Sequence, residues 1–221
     1  MKIPGSRELF DLSHTLARPL LEKAEVPFSA LTELGGFLCD LAGHPPEEYT
    51  EYAPGVFVGA GVKIADGVTI LPPAVIGGGT ELRPGAFLRG NVLIGECCVI
   101  GNSTEVKNAV IFDGVQIPHF NYVGDSILGY RAHFGAGVIT SNVRLDRRTV
   151  TVKDGDGKDA GLKKCGALVG DFAEVGCNTV LCPGAVLGRR SLVYPLSLVR
   201  GVIGGDCIFD GERQKPRNPT D

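Results

Sequence analysis

Aliphatic residues recur along this chain at a strict spacing of six. The first block is Val58, Ile64, Ile70, Ile76, Leu82, Leu88, Ile94, Ile100 and Val106, and the second is Val169, Val175, Leu181, Leu187, Val193 and Val199. Two positions before each lies a small or β-branched residue, as Ala74 lies before Ile76. A period of six matches neither the 3.6-residue turn of an α-helix nor the simple alternation of a hairpin strand. It predicts a hexapeptide β-helix, in which each aliphatic residue points to the axis of a triangular coil.

Between the two blocks the period continues with one-residue deletions. The intervening triples are Ile111, Ile117 and Val123, and then Leu128, Phe134 and Thr140. The hexads add up to about seven coils of three short strands, so the prism is roughly 30 Å long if strands lie about 4.8 Å apart. The predicted fold class is therefore all-β, a parallel β-helix over residues 51–210 with glycines supplying positive φ at the turns.

Residues 1–50 lack the period and predict short helices. Ser29–Leu41 has an apolar face and begins with a plausible N-cap serine, whereas Glu8–Ala24 is interrupted by Pro19. The apolar face consists of Leu31, Leu34, Phe37, Leu38 and Leu41. We expect one or two helices to form an N-terminal cap over the open first coil, whose edge would otherwise promote aggregation.

Two polar segments interrupt or follow the repeat. Residues 143–166 form an insertion in which Thr149–Val152 predicts a strand and Lys153–Lys158 a turn, so a hairpin is expected. A long insertion on a rigid solenoid is often a functional loop, with tolerated decoration as the alternative. Residues 211–221 contain two prolines and predict a flexible tail.

Composition narrows the class of protein. A formal net charge of −3 excludes a dominantly basic nucleic-acid binder, and no apolar run or signal core predicts a membrane segment. The seven cysteines form no CxxC pair, which favours reduced thiols in the cytoplasm. The spacing predicts that Cys98, Cys177 and Cys182 are small buried side chains, and no metal site is expected.

Three side chains are candidates for chemistry at outward positions. His119 follows the axial Ile117 by two residues, and a neutral imidazole suits proton abstraction near pH 7. Arg83 and Lys107 each follow an axial residue and could bind a phosphate. A structural histidine and ordinary solvated charges are the alternatives. The chain has neither a GxGxxG nor a GxxxxGK phosphate loop.

The segments GNSTEVKN, HFNYVGDS, FGAGVITSN and GLKKCGALVGD carry a resemblance to a known family. They resemble the acetyltransferase domain of bifunctional UDP-N-acetylglucosamine pyrophosphorylase/glucosamine-1-phosphate acetyltransferases, above all the archaeal-type sugar-1-phosphate nucleotidylyltransferase/acetyltransferase branch. The resemblance implies a left-handed β-helix. It also implies an acetyl-CoA-dependent N-acetyltransferase that acts on an amino-sugar-1-phosphate such as glucosamine-1-phosphate, in the synthesis of UDP-N-acetylglucosamine-type nucleotide sugars.

The same resemblance implies roles for individual residues. His119 matches the catalytic base. The matches for substrate binding are Arg83, Lys107, Tyr122, Asn142 and Arg148, and those for acetyl-CoA are Ala136 and Cys177. The family assembles as a homotrimer, with acetyl-CoA between neighbouring chains. His133 and Arg148 depart from the pattern, since relatives have asparagine and lysine there.

Two further expectations concern what the chain does alone. The given sequence contains no segment that resembles the nucleotidyltransferase half, so we expect no nucleotidyl transfer from this chain alone. A separate nucleotidyltransferase is a candidate partner. A non-catalytic scaffold that binds sugar phosphates or nucleotide sugars is the alternative function. A zinc enzyme of the γ-carbonic-anhydrase type is a weaker one, because only His119 and His133 lie in the repeat and such a site needs three histidines.

Overall fold

The computed structural model describes residues 3–150 and 162–218. Within these ranges the short strands wind into a left-handed parallel β-helix of seven complete coils and a partial eighth, which confirms the predicted fold class. Each coil contributes one strand to each of three faces, and strands stack in parallel on the preceding coil. From Ile76 to Val199 every axial residue of the predicted ladder is buried.

In each coil the chain passes through the first face, then the third face and then the second face, and these three labels are used below. The strands of the first face are Val56–Gly59, Ala74–Ile76, Val92–Ile94, Ala167–Val169, Ala185–Leu187 and Val202–Ile203. Those of the third face are Lys63–Ile64, Glu81–Leu82, Val99–Asn102, Gln116–His119, His133–Phe134, Glu174–Val175, Leu192–Val193 and Cys207–Phe209. Those of the second face are Thr69–Leu71, Phe87–Arg89, Ile139–Thr140, Val180–Leu181 and Leu198–Val199. Glu105–Ile111 and Tyr122–Leu128 bend at a corner and belong to the second face and then the first.

The N-terminal region contains three α-helices, Ser6–Leu9, Arg18–Lys23 and Ala30–Gly43, and two 3-10 turns, Leu12–His14 and Pro27–Ser29. Ser29 precedes the longest helix as predicted, but its hydroxyl donates to the Val26 carbonyl instead of capping the helix. Pro19 lies in the first turn of Arg18–Lys23, where a missing N–H costs nothing, so it begins a helix and does not interrupt one.

The expectation that these helices cap the first coil is wrong. Helix Ala30–Gly43 packs along the first face, against Ala74–Ile76 and Glu105–Ile111. The axial residues of the first coil remain half-buried; they are Val58, Ile64 and Ile70. The reason is a stripe of outward apolar residues on the first face, all of them buried: Val75, Leu93, Val110, Ile127, Leu168 and Val186. Covering such a side chain contributes about 1.5–3 kcal/mol, so the helices cover this stripe.

Antiparallel strands protect both ends of the prism. Tyr49–Ala53 pairs with Val56–Gly59 at the first coil, and Gln214–Pro216 pairs with Cys207–Phe209 at the last. The predicted flexible tail therefore contains an ordered strand, and its residues 219–221 lie outside the described ranges. A single antiparallel bridge joins Val150 and Leu162 across the neck of the insertion. The rest of the predicted hairpin, residues 151–161, also lies outside the described ranges.

No helix in the described part of the chain is long and apolar enough to cross a membrane.

Candidate active site

His119, Ala136 and Cys177 lie at the same position of successive coils, along the corner between the third and second faces. The Gly137 N–H donates to the His119 carbonyl at 3.0 Å, and the Asn178 N–H donates to the Ala136 carbonyl at 2.8 Å. With about 4.8 Å between coils, these three residues form an edge roughly 10 Å long, which we call the histidine edge. The fold thus brings the predicted base into line with the two residues predicted to lie beside acetyl-CoA.

The backbone of the histidine edge is held rigidly while the imidazole of His119 is exposed. Asn121 is buried, and its Oδ1 accepts the His119 N–H at 3.1 Å while its Nδ2 donates to the Gly135 carbonyl at 2.8 Å. The His119 ring forms no hydrogen bond with any residue in the described ranges. The imidazole is therefore available to a substrate.

Cys177 is exposed on this edge, so the prediction that its side chain is buried is wrong. Cys98 is buried as predicted, and burial raises the pKa of its thiol to about 12. Cys182 is half-buried. The Cys98 Sγ donates to the Phe112 carbonyl at 3.1 Å, whereas Cys177 lies just before Asn178, a turn residue with a left-handed backbone.

On the second face, Tyr122 lies across the sheet and contacts Asn142. The Asn142 Nδ2 donates to the Tyr122 hydroxyl at 3.1 Å. Gly124 makes this arrangement possible, because a Cβ at that position would lie 2.5 Å from the Tyr122 hydroxyl oxygen. Partial burial raises the pKa of Tyr122, so its hydroxyl stays protonated and can donate to a substrate.

A buried carboxylate, Asp125, organises the neighbouring corner. It accepts hydrogen bonds from the Nδ2 atoms of Asn142 and Asn108, the latter at 2.8 Å, and lies 3.6 Å from the Lys107 ammonium. We call Lys107, Asn108, Asp125 and Asn142 the carboxylate cluster. Asn108 and Asp125 have φ of 46° and 49°, a left-handed conformation that Asn and Asp adopt more readily than other side chains. The left-handed backbone at this corner therefore favours Asn and Asp, and the same two residues supply the polar side chains of the cluster.

The structure separates Arg83 from this cluster and brings Arg89 near it. Arg83 lies on the third face, where its Nε contacts Glu81 at 3.1 Å. Arg89 lies on the second face and pairs with Glu105 at 2.6 Å. The register that aligns Leu88 with Val106 sets Arg89 one coil before Lys107. The sequence analysis did not identify Arg89, Asn108 or Asp125 as site residues. Arg89 could have been found from the coil length of about 18 residues, because it lies one coil before Lys107.

The two residues that depart from the family pattern lie on different parts of the surface. His133 is on the third face and its Nδ1 lies 2.7 Å from Glu174 of the next coil. Arg148 is exposed at the start of the insertion, and its backbone N–H donates to Asp146 at 3.2 Å. Neither side chain contacts the carboxylate cluster within the described residues.

An apolar groove of about 620 Å³ continues the second face toward the C-terminus. Val180 and Leu198 form its floor, and Leu145 at the start of the insertion forms one wall. Leu198 and the nearby Ile139 are 49% and 41% exposed. The groove's volume lies in the range of small-molecule sites, and its exposed aliphatic side chains are equally suited to contact with another chain.

Residues 3–150 and 162–218 contain no group of three or more His, Cys, Asp or Glu side chains arranged to hold a metal ion. The described residues therefore supply no three-histidine zinc centre.

Comparison with known proteins supports the predicted resemblance. Residues 70–204 match the family model of the GMPPB C-terminal domain. A bifunctional protein GlmU from Methanococcus maripaludis is 36% identical over 129 residues, which is 58% of this chain and 29% of that protein. A bifunctional sugar-1-phosphate nucleotidylyltransferase/acetyltransferase from Sulfurisphaera tokodaii is 36% identical over 161 residues, 67% of this chain and 40% of that protein.

The chain thus spans less than half the length of these curated relatives. Among solved structures, the acetyltransferase domain of PglB from Neisseria gonorrhoeae in complex with acetyl coenzyme A is 14% identical. That match covers 71% of this chain and 57% of the other, with a TM-score of 0.44.

Proposed function

Because this chain belongs to the GMPPB C-terminal domain family and is similar to the acetyltransferase part of bifunctional sugar-1-phosphate enzymes, we propose that it is an N-acetyltransferase. The acetyl donor is acetyl-CoA and the acceptor is an amino-sugar-1-phosphate of the glucosamine-1-phosphate type. The observation that carries the proposal is the alignment of His119, Ala136 and Cys177 along one exposed edge, beside the Tyr122–Asn142 pair.

His119 is the proposed general base. The sugar amine attacks the thioester carbonyl carbon, its nitrogen gives a proton to the imidazole, and the coenzyme leaves as its thiol after taking up a proton. A base is needed because only a neutral amine has the lone pair that forms the new amide bond. The exposed ring and the fixed backbone of His119 suit this role, since the imidazole can reach a substrate without breaking a contact of the fold.

The second face supplies the proposed acceptor site. Tyr122 and Asn142 hydrogen-bond each other and present polar atoms to sugar hydroxyls, while Lys107 and Arg89 add cations near them. Arg148, exposed at the start of the insertion, is the remaining residue proposed to bind the substrate. Holding the amine and the thioester together on adjacent surfaces of one rigid prism supplies the orientation that a bimolecular reaction in water lacks.

Acetyl-CoA is proposed to lie along the histidine edge and to extend toward the apolar groove. Ala136 and the exposed Cys177 leave this edge without bulky side chains, and the groove beyond them is lined by Val180 and Leu198. A second copy of the chain would form the outer wall of this site, so a homotrimer is the proposed assembly.

The test is acetyl transfer from acetyl-CoA to glucosamine-1-phosphate and to galactosamine-1-phosphate. The acetylated sugar is measured by mass spectrometry, because the protein's own cysteines complicate assays of free thiol. His119→Ala is expected to lower kcat by about 10²-fold or more, since it removes the base. His44→Ala changes an exposed histidine at the end of helix Ala30–Gly43 and serves as the control.

Two results would overturn the proposal. Wild type could remain folded yet acetylate neither sugar phosphate, or His119→Ala could acetylate as fast as the His44→Ala control.

A further inference from the structure

A chain of hydrogen bonds runs from the buried Asp125 through Asn142 to the Tyr122 hydroxyl. Asp125 is only 4% exposed, and its Oδ2 accepts a hydrogen bond from the Asn142 Nδ2, which also donates to the Tyr122 hydroxyl at 3.1 Å. A carboxylate can only accept hydrogen bonds, so the amide of Asn142 must turn its N–H₂ group, and not its oxygen, toward Asp125. Asp125 thereby fixes the orientation of an amide that could otherwise face either way.

This orientation leaves two polar atoms of fixed character for a ligand. Both hydrogens of the Asn142 Nδ2 are used, and its Oδ1 accepts no hydrogen bond from any residue of the described ranges. The Tyr122 hydroxyl accepts from Asn142 and donates to none of the residues that the structure describes. A ligand therefore meets one acceptor, the Asn142 Oδ1, and one donor, the Tyr122 O–H, on two side chains in contact.

The chemical group that matches such a pair is a hydroxyl. A hydroxyl both donates and accepts hydrogen bonds, whereas an ammonium group only donates and a phosphate dianion only accepts. Tyr122 and Asn142 are half-buried and meet above Gly124 on the second face, where a sugar ring can lie against them. An amide that turned freely would present either a donor or an acceptor and would not select for this group.

Two further contacts hold the Asp125 side chain in the place that this requires. The Asn108 Nδ2 donates to its Oδ1 at 2.8 Å, and the Lys107 ammonium lies 3.6 Å from its Oδ2. One carboxylate oxygen is thus taken by Asn108, and the other faces Asn142 and Lys107. Because Asp125 is buried, it can affect a substrate only through the side chains that it contacts.

We infer that Asp125 is a positioning residue that fixes the polarity of the acceptor site: acting through Asn142, it presents one acceptor and one donor to a single hydroxyl group of the sugar. The inference rests on the proposed function, because it concerns how the proposed amino-sugar acceptor is oriented. A hydroxyl held in this way limits the positions that the sugar amine can take relative to the thioester. Asp125 is thereby a determinant of specificity, although it does not touch the substrate.

The experiment compares glucosamine-1-phosphate with its 3-deoxy, 4-deoxy and 6-deoxy analogues as acetyl acceptors. For wild type, kcat/KM is expected to be about tenfold or more lower for the analogue that lacks the recognised hydroxyl, because the donor and the acceptor of the site are then left unpaired. Asp125→Gly removes the carboxylate at a left-handed backbone position that glycine adopts without strain. In this variant the preference for glucosamine-1-phosphate over that analogue is expected to disappear.

Two further variants separate positioning from a merely structural role. Asp206→Gly makes the same change at another left-handed position and should keep the wild-type preference. The exchange variant Asn108→Asp/Asp125→Asn should keep it too, because the new carboxylate at position 108 accepts the amide N–H₂ at position 125 and turns the oxygen of that amide toward Asn142. If Asp125→Gly does not fold, the exchange variant alone tests the inference, since its preference must match that of wild type.

Calorimetric titration of the same four sugars into the intact proteins keeps the inference separate from the proposed function. A binding preference of wild type that is lost in Asp125→Gly and kept in the exchange variant supports the inference even if no acetyl transfer occurs. Acetyl transfer by wild type without any preference among the four sugars overturns the inference and leaves the proposed function intact, as does a preference that Asp125→Gly retains. Loss of the preference in the exchange variant also overturns it. Absence of both binding and transfer in wild type overturns the inference together with the proposed function.

Discussion

At the scale of single residues, the candidate site depends on positions where the turn geometry and the chemistry require the same side chain. Asn108 and Asp125 occupy left-handed backbone positions, and their side chains then meet in one hydrogen-bonded cluster. Lys107 and Asn142 join this cluster from neighbouring coils. A change at any of these positions therefore affects both the fold of a corner and the orientation of side chains that are proposed to bind the substrate.

Gly124 gives a sharper test of the site, because the atoms nearest to a Cβ added there belong to Tyr122 and Asn142. An added Cβ would lie 2.5 Å from the Tyr122 hydroxyl oxygen and 2.9 Å from the Asn142 Nδ2, so Gly124→Ala must displace the end of the tyrosine side chain. We expect a loss of acetyl transfer of about 10²-fold, the size of effect that a misplacement of about 1 Å can cause. Steady-state kinetics with glucosamine-1-phosphate measure this loss.

The matched control is Gly36→Ala in helix Ala30–Gly43, where no atom lies within 4 Å of the added Cβ. Alanine there should leave the kinetics unchanged and stabilise the helix by about 0.5–1 kcal/mol. Full activity in Gly124→Ala would show that the Tyr122–Asn142 pair has no part in the reaction.

Sequence reasoning reached some of these residues and missed others for physical reasons. His119, Tyr122 and Asn142 carry recognisable motifs, and the structure brings the last two into contact. Arg83 also lies in a recognisable segment, yet it belongs to the third face. Counting one coil back from Lys107 gives Arg89 instead. In a β-helix, proximity follows the coil period more closely than it follows local motifs.

At the scale of elements, the hexad spacing predicted the strands and the axial core but not where the helices pack. The signal that was overlooked is the residue between each axial residue and the small or β-branched residue two positions before it. In every third hexad this residue is apolar, as Val75, Leu93 and Val110 are, and it points outward on the first face. A prism needs no apolar residues on its outside. A regular outward stripe of this kind therefore predicts a covering element, which here is the helical region.

Asp171 is one point at which the segment before helix Ala30–Gly43 is attached to the prism. This carboxylate is only 2% exposed and accepts the backbone N–H groups of Asp11 at 2.7 Å and Tyr130 at 2.8 Å, and Arg189 lies 3.2 Å away. Burial raises the pKa of the Asp171 carboxyl, and the two N–H donors and Arg189 act against that rise. The Phe10 and Phe112 rings pack beside it with centroids 5.2 Å apart.

Asp171→Asn is expected to lower the free energy of unfolding by about 2–3 kcal/mol, because an amide group must turn its own N–H₂ toward one of the backbone donors. Urea denaturation followed by circular dichroism measures the change. Asp206→Asn removes an exposed carboxylate paired with Arg190, and such a pair contributes about 1 kcal/mol at most. Equal losses in the two variants would contradict the anchoring role of Asp171.

At the scale of the whole molecule, the surfaces already covered limit how copies of the chain can assemble. The N-terminal helices occupy the first face, and antiparallel strands protect the first and last coils. The second and third faces and the histidine edge between them remain. Their exposed apolar side chains include Phe120, Ile139, Leu196 and Leu198. A symmetric assembly that uses these surfaces would form its acetyl-CoA sites between neighbouring chains, as the proposed function requires.

The last prediction follows from this arrangement. Light scattering after gel filtration should give wild type a mass three times that of the 23.3 kDa chain. Leu198→Glu introduces a charge on the second face, where burial in an interface would cost several kcal/mol, so this variant is expected to elute as a monomer and to lose acetyl transfer. Tyr52→Glu adds the same charge to strand Tyr49–Ala53 on an exposed side chain away from these faces, and it should remain a trimer. A monomeric wild type that still acetylates glucosamine-1-phosphate would mean that one chain holds both substrates. The histidine edge and the carboxylate cluster would then have to form a complete site without a neighbour.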